Sequence, residues 1–106
     1  MERIRIAVGD LVFDARAAGP ADGPLVLLLH GFPQTSYEWR HQIPALASLG
    51  FRVVAPDQRG YSPDARPAGI AAYAMPALVG DVVGIADRLG RRTFHVVGHD
   101  WGAAVA

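Results

Sequence analysis

Gly98-His99-Asp100-Trp101-Gly102 carries the most pointed chemistry in this sequence. Thr93-Phe94-His95-Val96-Val97 before it reads as a buried strand, and Gly102-Ala103-Ala104-Val105-Ala106 after it reads as the start of a helix. A strand, a sharp turn and a helix in this order make a nucleophile elbow. Such a turn pushes its central residue into a strained backbone conformation, and only small neighbours avoid a clash. The central residue is Asp100. Its carboxylate is already charged at neutral pH and needs no base to become nucleophilic. The first N–H groups of the following helix favour that charge. The plainer alternative is an Asp capping a helix from an ordinary loop, since Asp is a preferred N-cap. Flanking glycines and a preceding apolar strand favour the elbow.

Two other segments follow apolar runs in the same way. His30-Gly31-Phe32-Pro33 comes after Leu25–Leu29, and Asp57-Gln58-Arg59-Gly60-Tyr61-Ser62 comes after Phe51–Ala55. His30 is tempting as a general base, but a hydrogen-bonded His that shapes its loop is the simpler reading. His99 packs or hydrogen-bonds, because neighbouring elbow residues project apart. His41 reads as a surface helix residue and His95 as a strand residue. An Asp57–Arg59 contact would organise its loop. Tyr61 and Ser62 fit a pocket wall and an exposed turn equally well. Ser36, Ser48 and Ser62 lack a G-x-S-x-G setting, which disfavours a serine hydrolase. No spacing suggests a metal, and no glycine-rich loop suggests a nucleotide.

The elements that must hold these residues are legible in the patterning. Ile4, Ile6 and Val8 alternate with polar or small residues, as do Leu11, Phe13 and Ala15, and Gly9-Asp10 between the two runs is a hairpin signal. Ala17–Pro24 is a loop by its Gly and Pro density. The continuous apolar runs 25–29, 51–55 and 94–97 suit strands covered on both faces, as in a parallel sheet. Trp39, Ile43 and Leu46 keep helical spacing, with Pro44 predicting a short turn and then a helix from near that residue. Leu78, Val82, Ile85 and Leu89 form one helical face, with Asp81 and Arg88 off it, Pro76 opening the helix and Gly90 closing it. Alternating strands and helices behind an antiparallel hairpin predict an α/β fold.

In order and spacing, the three segments resemble the N-terminal half of an α/β-hydrolase, in the branch of epoxide hydrolases and haloalkane dehalogenases. The resemblance implies the N-terminal portion of that fold, as one partial domain over residues 1–106, with lid and C-terminal half absent. It implies that Asp100 is the nucleophile and forms an alkyl-enzyme ester. It also implies that the backbone N–H groups of Phe32 and Trp101 form the oxyanion hole, while the rings of both residues otherwise read as ordinary core aromatics. His30, Gly31, Pro33, Gly98, His99 and Gly102 are implied to support the site. The peptide before Pro33 is often cis in this family, while trans is the generic form. The implied substrate is a small hydrophobic organic molecule, an epoxide or similar, together with water.

Within that branch, Phe32-Pro33 and the His99-Asp100-Trp101 order resemble epoxide hydrolases best. The alternative is a haloalkane dehalogenase, in which the Trp101 indole would donate to the leaving halide. The second halide donor of that group, often Asn after the His-Gly pair, is replaced here by Phe32. A further alternative is a truncated, non-catalytic fragment or gene remnant, since the triad acid and His follow the elbow in chain order. On this view the strand ending at Val97 is left as an open edge.

Composition narrows the rest. The chain has 106 residues, 51% of them hydrophobic, with zero net charge and no Cys. That supports one small folded domain and excludes a disulfide framework. Zero net charge gives no reason to expect nucleic acid as a partner. The longest apolar run is too short to cross a bilayer, and the first ten residues do not form a signal peptide. A cytoplasmic protein without cofactor or metal is the resulting expectation, and the oligomeric state stays open.

Overall fold

The computed structural model describes residues 1–106. Strands β1 (Glu2–Val8) and β2 (Leu11–Ala18) form the expected antiparallel hairpin about Gly9-Asp10. Strand β3 (Leu25–Leu29) leads through a 3₁₀ turn, Ser36–Trp39, into helix α1 (Gln42–Ser48) and strand β4 (Arg52–Pro56). A second 3₁₀ turn, Ile70–Tyr73, precedes helix α2 (Met75–Arg88), strand β5 (His95–Gly98) and helix α3 (Trp101–Val105). The sheet order is β1-β2-β4-β3-β5, with β2 antiparallel to β4, and β4, β3 and β5 parallel.

Strand β3 explains why its sequence does not alternate. Leu25, Leu27 and Leu29 face one core with Phe13, Val54 and, from α2, Val82, Ile85 and Ala86. Val26 and Leu28 face a second core with Val53, Ala55 and, from α1, Ile43. With helices on both faces, every residue of β3 is removed from water. Burying each such Leu or Ile contributes about 1.5–3 kcal/mol.

Several expectations need correction. The helix expected near Pro44 begins two residues earlier, at Gln42. Pro44 is then its third residue, where a missing N–H costs no internal hydrogen bond. Asp81 does not lie off the α2 face but is buried on it, because Arg59 reaches in and neutralises it. Strand β5 is not buried throughout. Its residues alternate between exposed and half-buried, because β3 pairs with it on one side only. Leu78 and Leu89 pack only partly against the α2 core. The helix stops as Gly90 predicts, with the Arg91 N–H reaching back to the Ala86 carbonyl and that of Gly90 to Asp87.

Candidate active site

Because β4, β3 and β5 are adjacent and parallel, the segments after them emerge on one rim of the sheet. This brings residues 30–33, 57–62 and 98–102 together although they are far apart in sequence. Strand β5 is held in register to its last residue, Gly98, opposite Leu29, and the His99 N–H continues the ladder to the Leu29 carbonyl at 3.1 Å.

The chain then turns at Asp100, whose φ of 59° and ψ of −122° lie in territory that L-residues avoid. It is the only non-glycine residue with positive φ. Steric fit accounts for both flanking glycines. A Cβ on Gly98 would run into the Gly102 backbone, and one on Gly102 would run into the Leu29 carbonyl. A Cβ on Gly31 would stand 2.5 Å from the Asp100 Cβ and 2.9 Å from the His99 carbonyl oxygen. The loop after β3 therefore lies directly against the turn, and only glycine permits the contact.

Asp100 occupies the N-cap position of α3, but its side chain does not make the usual capping bond further into the helix. Instead its Oδ2 accepts a hydrogen bond from the Phe32 N–H at 3.1 Å. The Trp101 N–H and then the Phe32 N–H hold the carboxyl below the usual carboxylate range, and the nearby His99 adds to the effect. The side chain is exposed on the rim and ionised at neutral pH. The rings of Phe32 and Trp101 are not core aromatics. They are 63% and 62% exposed. The Phe32–Pro33 peptide is cis.

His30 is 1% exposed, and both its ring nitrogens are engaged. Nε2 accepts from the Gln58 N–H at 2.9 Å, and Nδ1 lies 3.0 Å from the Gly31 carbonyl oxygen, which fixes the proton on Nδ1. Gln58 Nε2 donates to the His30 carbonyl at 2.8 Å, so this pair joins the loops after β3 and β4. Burial pushes the imidazole pKa down, which keeps the ring neutral. Tyr61 packs edge-on against it, with ring centroids 4.6 Å apart. Burial, and then the charge of Asp100, push the Tyr61 hydroxyl pKa up, so it stays protonated beside the carboxylate.

Arg59 does not pair with Asp57. It forms a two-pronged ion pair with Asp81 at 2.8 and 2.7 Å and donates to the Ala72 carbonyl at 2.7 Å. Asp57 instead accepts from the Ser36 N–H at 2.7 Å. Ser62 is buried, not a pocket residue. Its hydroxyl donates to the Asp57 carbonyl at 2.6 Å and accepts from the Asp14 N–H at 3.0 Å. His41 and His95 are exposed, at the start of α1 and at the far end of β5.

One residue near the site escaped the sequence reading. Glu38 reaches the Gly31 N–H with Oε1 at 3.3 Å and His99 Nδ1 with Oε2 at 3.2 Å. The available signal was Thr35-Ser36-Tyr37-Glu38, the spacing of a capping box. Thr35 does cap, accepting from the Tyr37 N–H at 3.3 Å, but Glu38 turns towards the rim.

A family model described as alpha/beta hydrolase fold matches residues 24–106. Epoxide hydrolase B of Mycobacterium tuberculosis is 58% identical over 94 residues, which are 87% of this chain and 26% of that protein. Epoxide hydrolase 1 of Siraitia grosvenorii is 43% identical over 106 residues, 100% of this chain and 33% of that protein. The crystal structure of epoxide hydrolase A from Mycobacterium thermoresistibile superposes with a TM-score of 0.93 at 42% identity, covering 98% of this chain and 33% of that one. The chain thus spans about a third or less of the length of these relatives.

Proposed function

This chain belongs to the alpha/beta hydrolase fold family, and on that premise we propose that its Asp100 is the nucleophile of an epoxide hydrolase. The observation that carries this reading is the Phe32 N–H bond to Asp100 Oδ2 at a strained turn. With Oδ2 held, Oδ1 is the free oxygen. It attacks an epoxide carbon, the carbon–oxygen ring bond breaks, and the ring oxygen leaves with the electron pair and takes a proton from water. An ester now links Asp100 to the substrate. Water then adds to the Asp100 carboxyl carbon, and negative charge develops on Oδ2. The N–H groups of Phe32 and Trp101 stabilise that oxyanion, a contribution of about 3 kcal/mol per donor. Collapse breaks the bond from the carboxyl carbon to the alkoxy oxygen and releases the diol.

The second step needs a base for the water. Both nitrogens of His30 are committed to backbone, and His41 and His95 are remote from the rim; His99 has Nε2 free but no contact that brings it to the Asp100 carboxyl. We therefore infer that residues 1–106 form one partial domain that opens the ring without sustained turnover. Names of relatives support the substrate class: an epoxide, with water as second reactant.

To test both steps, the chain is incubated with an aryl epoxide and examined by intact and peptide mass spectrometry, with diol measured in parallel. One adduct per chain, on the peptide containing Asp100, with no multiple turnover, is the expected result. An adduct confined to another peptide overturns the nucleophile. Many diols released per chain overturn the claim of incompleteness.

A further inference from the structure

We propose that Glu38 is a positioning residue that holds the His30–Gly31 amide, and through Gly31 the Phe32 N–H, against the elbow, gripping one side with each carboxylate oxygen. The proposal rests on reading Phe32 and Asp100 as the reacting pair. Its structural basis is a pair of successive amides that serve two different carboxylates. The Gly31 N–H donates to Glu38 Oε1 at 3.3 Å, and the Phe32 N–H donates to Asp100 Oδ2 at 3.1 Å. The two amides are joined at the Gly31 Cα, so the bond to Glu38 anchors one side of Gly31 while the bond to Asp100 anchors the other. The other Glu38 oxygen lies 3.2 Å from Nδ1 of His99, the residue immediately before Asp100. A carboxylate only accepts, so His99 must carry its proton on Nδ1. Glu38 thus spans the two loops whose separation sets the Phe32–Asp100 distance.

Burial distinguishes this contact from a surface ion pair. The Glu38 side chain is 13% exposed, whereas that of His99 is 57% exposed. Partial shielding from water strengthens both hydrogen bonds. Nor is Glu38 acting as a helix cap, despite its spacing from Thr35. The Gly31 carbonyl is held from the other side by His30 Nδ1 at 3.0 Å and the Gln34 N–H at 2.9 Å, and Glu38 holds the amide that precedes it.

The test uses the isotope-labelled chain by NMR, with Glu38→Ala and Glu38→Gln beside the native protein. Two readouts are taken: hydrogen exchange at the Phe32 amide and the titration midpoint of the Asp100 carboxyl. The charged and titratable groups around Asp100 are His99, Glu38 and Tyr61. Removing a neighbouring negative charge would, through charge alone, lower the Asp100 midpoint. Losing the Phe32 bond raises it. Glu38→Ala is expected to raise the midpoint and to speed Phe32 exchange by about tenfold, the loss of roughly one hydrogen bond. Glu38→Gln keeps an oxygen for Gly31 and is expected to restore most of the protection at Phe32. A fall in the midpoint, or an unmoved Phe32 amide, overturns the proposal. Should Glu38→Ala not fold, Glu38→Asp decides: one methylene shorter, it spans only one partner, and Phe32 exchange must still quicken. The adduct experiment separates the two readings. An adduct on Asp100 with Phe32 unresponsive removes the clamp alone. A responsive Phe32 without any Asp100 adduct supports the clamp and removes the nucleophile.

Discussion

At the scale of single residues, the rim holds two buried or strained groups with opposite tasks. Asp100 bears the backbone strain and keeps its charge because main-chain N–H groups face it. His30 bears no strain and keeps itself neutral, because burial opposes the imidazolium and its Nε2 must accept from Gln58. The second property has a pH consequence. In the unfolded chain the imidazole titrates at its ordinary value of 6.5, and in the folded chain it titrates lower. Between those values the unfolded state binds more protons, so folding stability is full above 6.5 and is lost as pH descends below it. Urea midpoints measured at stepped pH should fall on that side, and His30→Gln should flatten the fall. A midpoint that holds or rises on acidification rules this out.

At the scale of elements, glycines and one ion pair set how closely the pieces approach. Helix α3 crosses the end of β3 with no room for a methyl group on Gly102. Helix propensity alone would make Gly102→Ala stabilising by about 1 kcal/mol. The clash with the Leu29 carbonyl opposes it, and overpacking of this kind costs about 1–3 kcal/mol. Because the obstacle is backbone, the clash wins, and denaturant titration should show net destabilisation of Gly102→Ala. Arg59 and Asp81 tie the loop after β4 to α2 with both side chains largely shielded. Arg59→Ala leaves Asp81 buried and unpaired, at a cost of about 3 kcal/mol. Calorimetry should register this as a clear drop in melting temperature. Arg59→Ala combined with Asp81→Leu should recover part of it, and no recovery would show the loss lies elsewhere.

At the scale of the whole molecule, the sheet is covered on both faces but open at β5. Val97 on that strand is 44% exposed. An uncovered strand beside apolar side chains is a template for pairing with another chain. Residues 1–106 by themselves should therefore self-associate with rising concentration, as light scattering would show, and Val97→Lys should suppress it. Equal scattering by both proteins would exclude this edge as the route.

Patterning along the chain determined the elements. Period-two alternation marked the hairpin, unbroken apolar runs marked the strands buried between helices, and the spacing of Val82 and Ile85 marked the inner face of α2. It also determined the elbow, because a turn that tight tolerates only glycine around its centre. These are local constraints, and local sequence records them. Partners distant in the chain were decided by tertiary structure alone. Arg59 chose Asp81 over the nearer Asp57, Ser62 went inside, and Glu38 reached the rim. Each follows from which strands lie side by side, and strand order is settled only when the two cores close around β3.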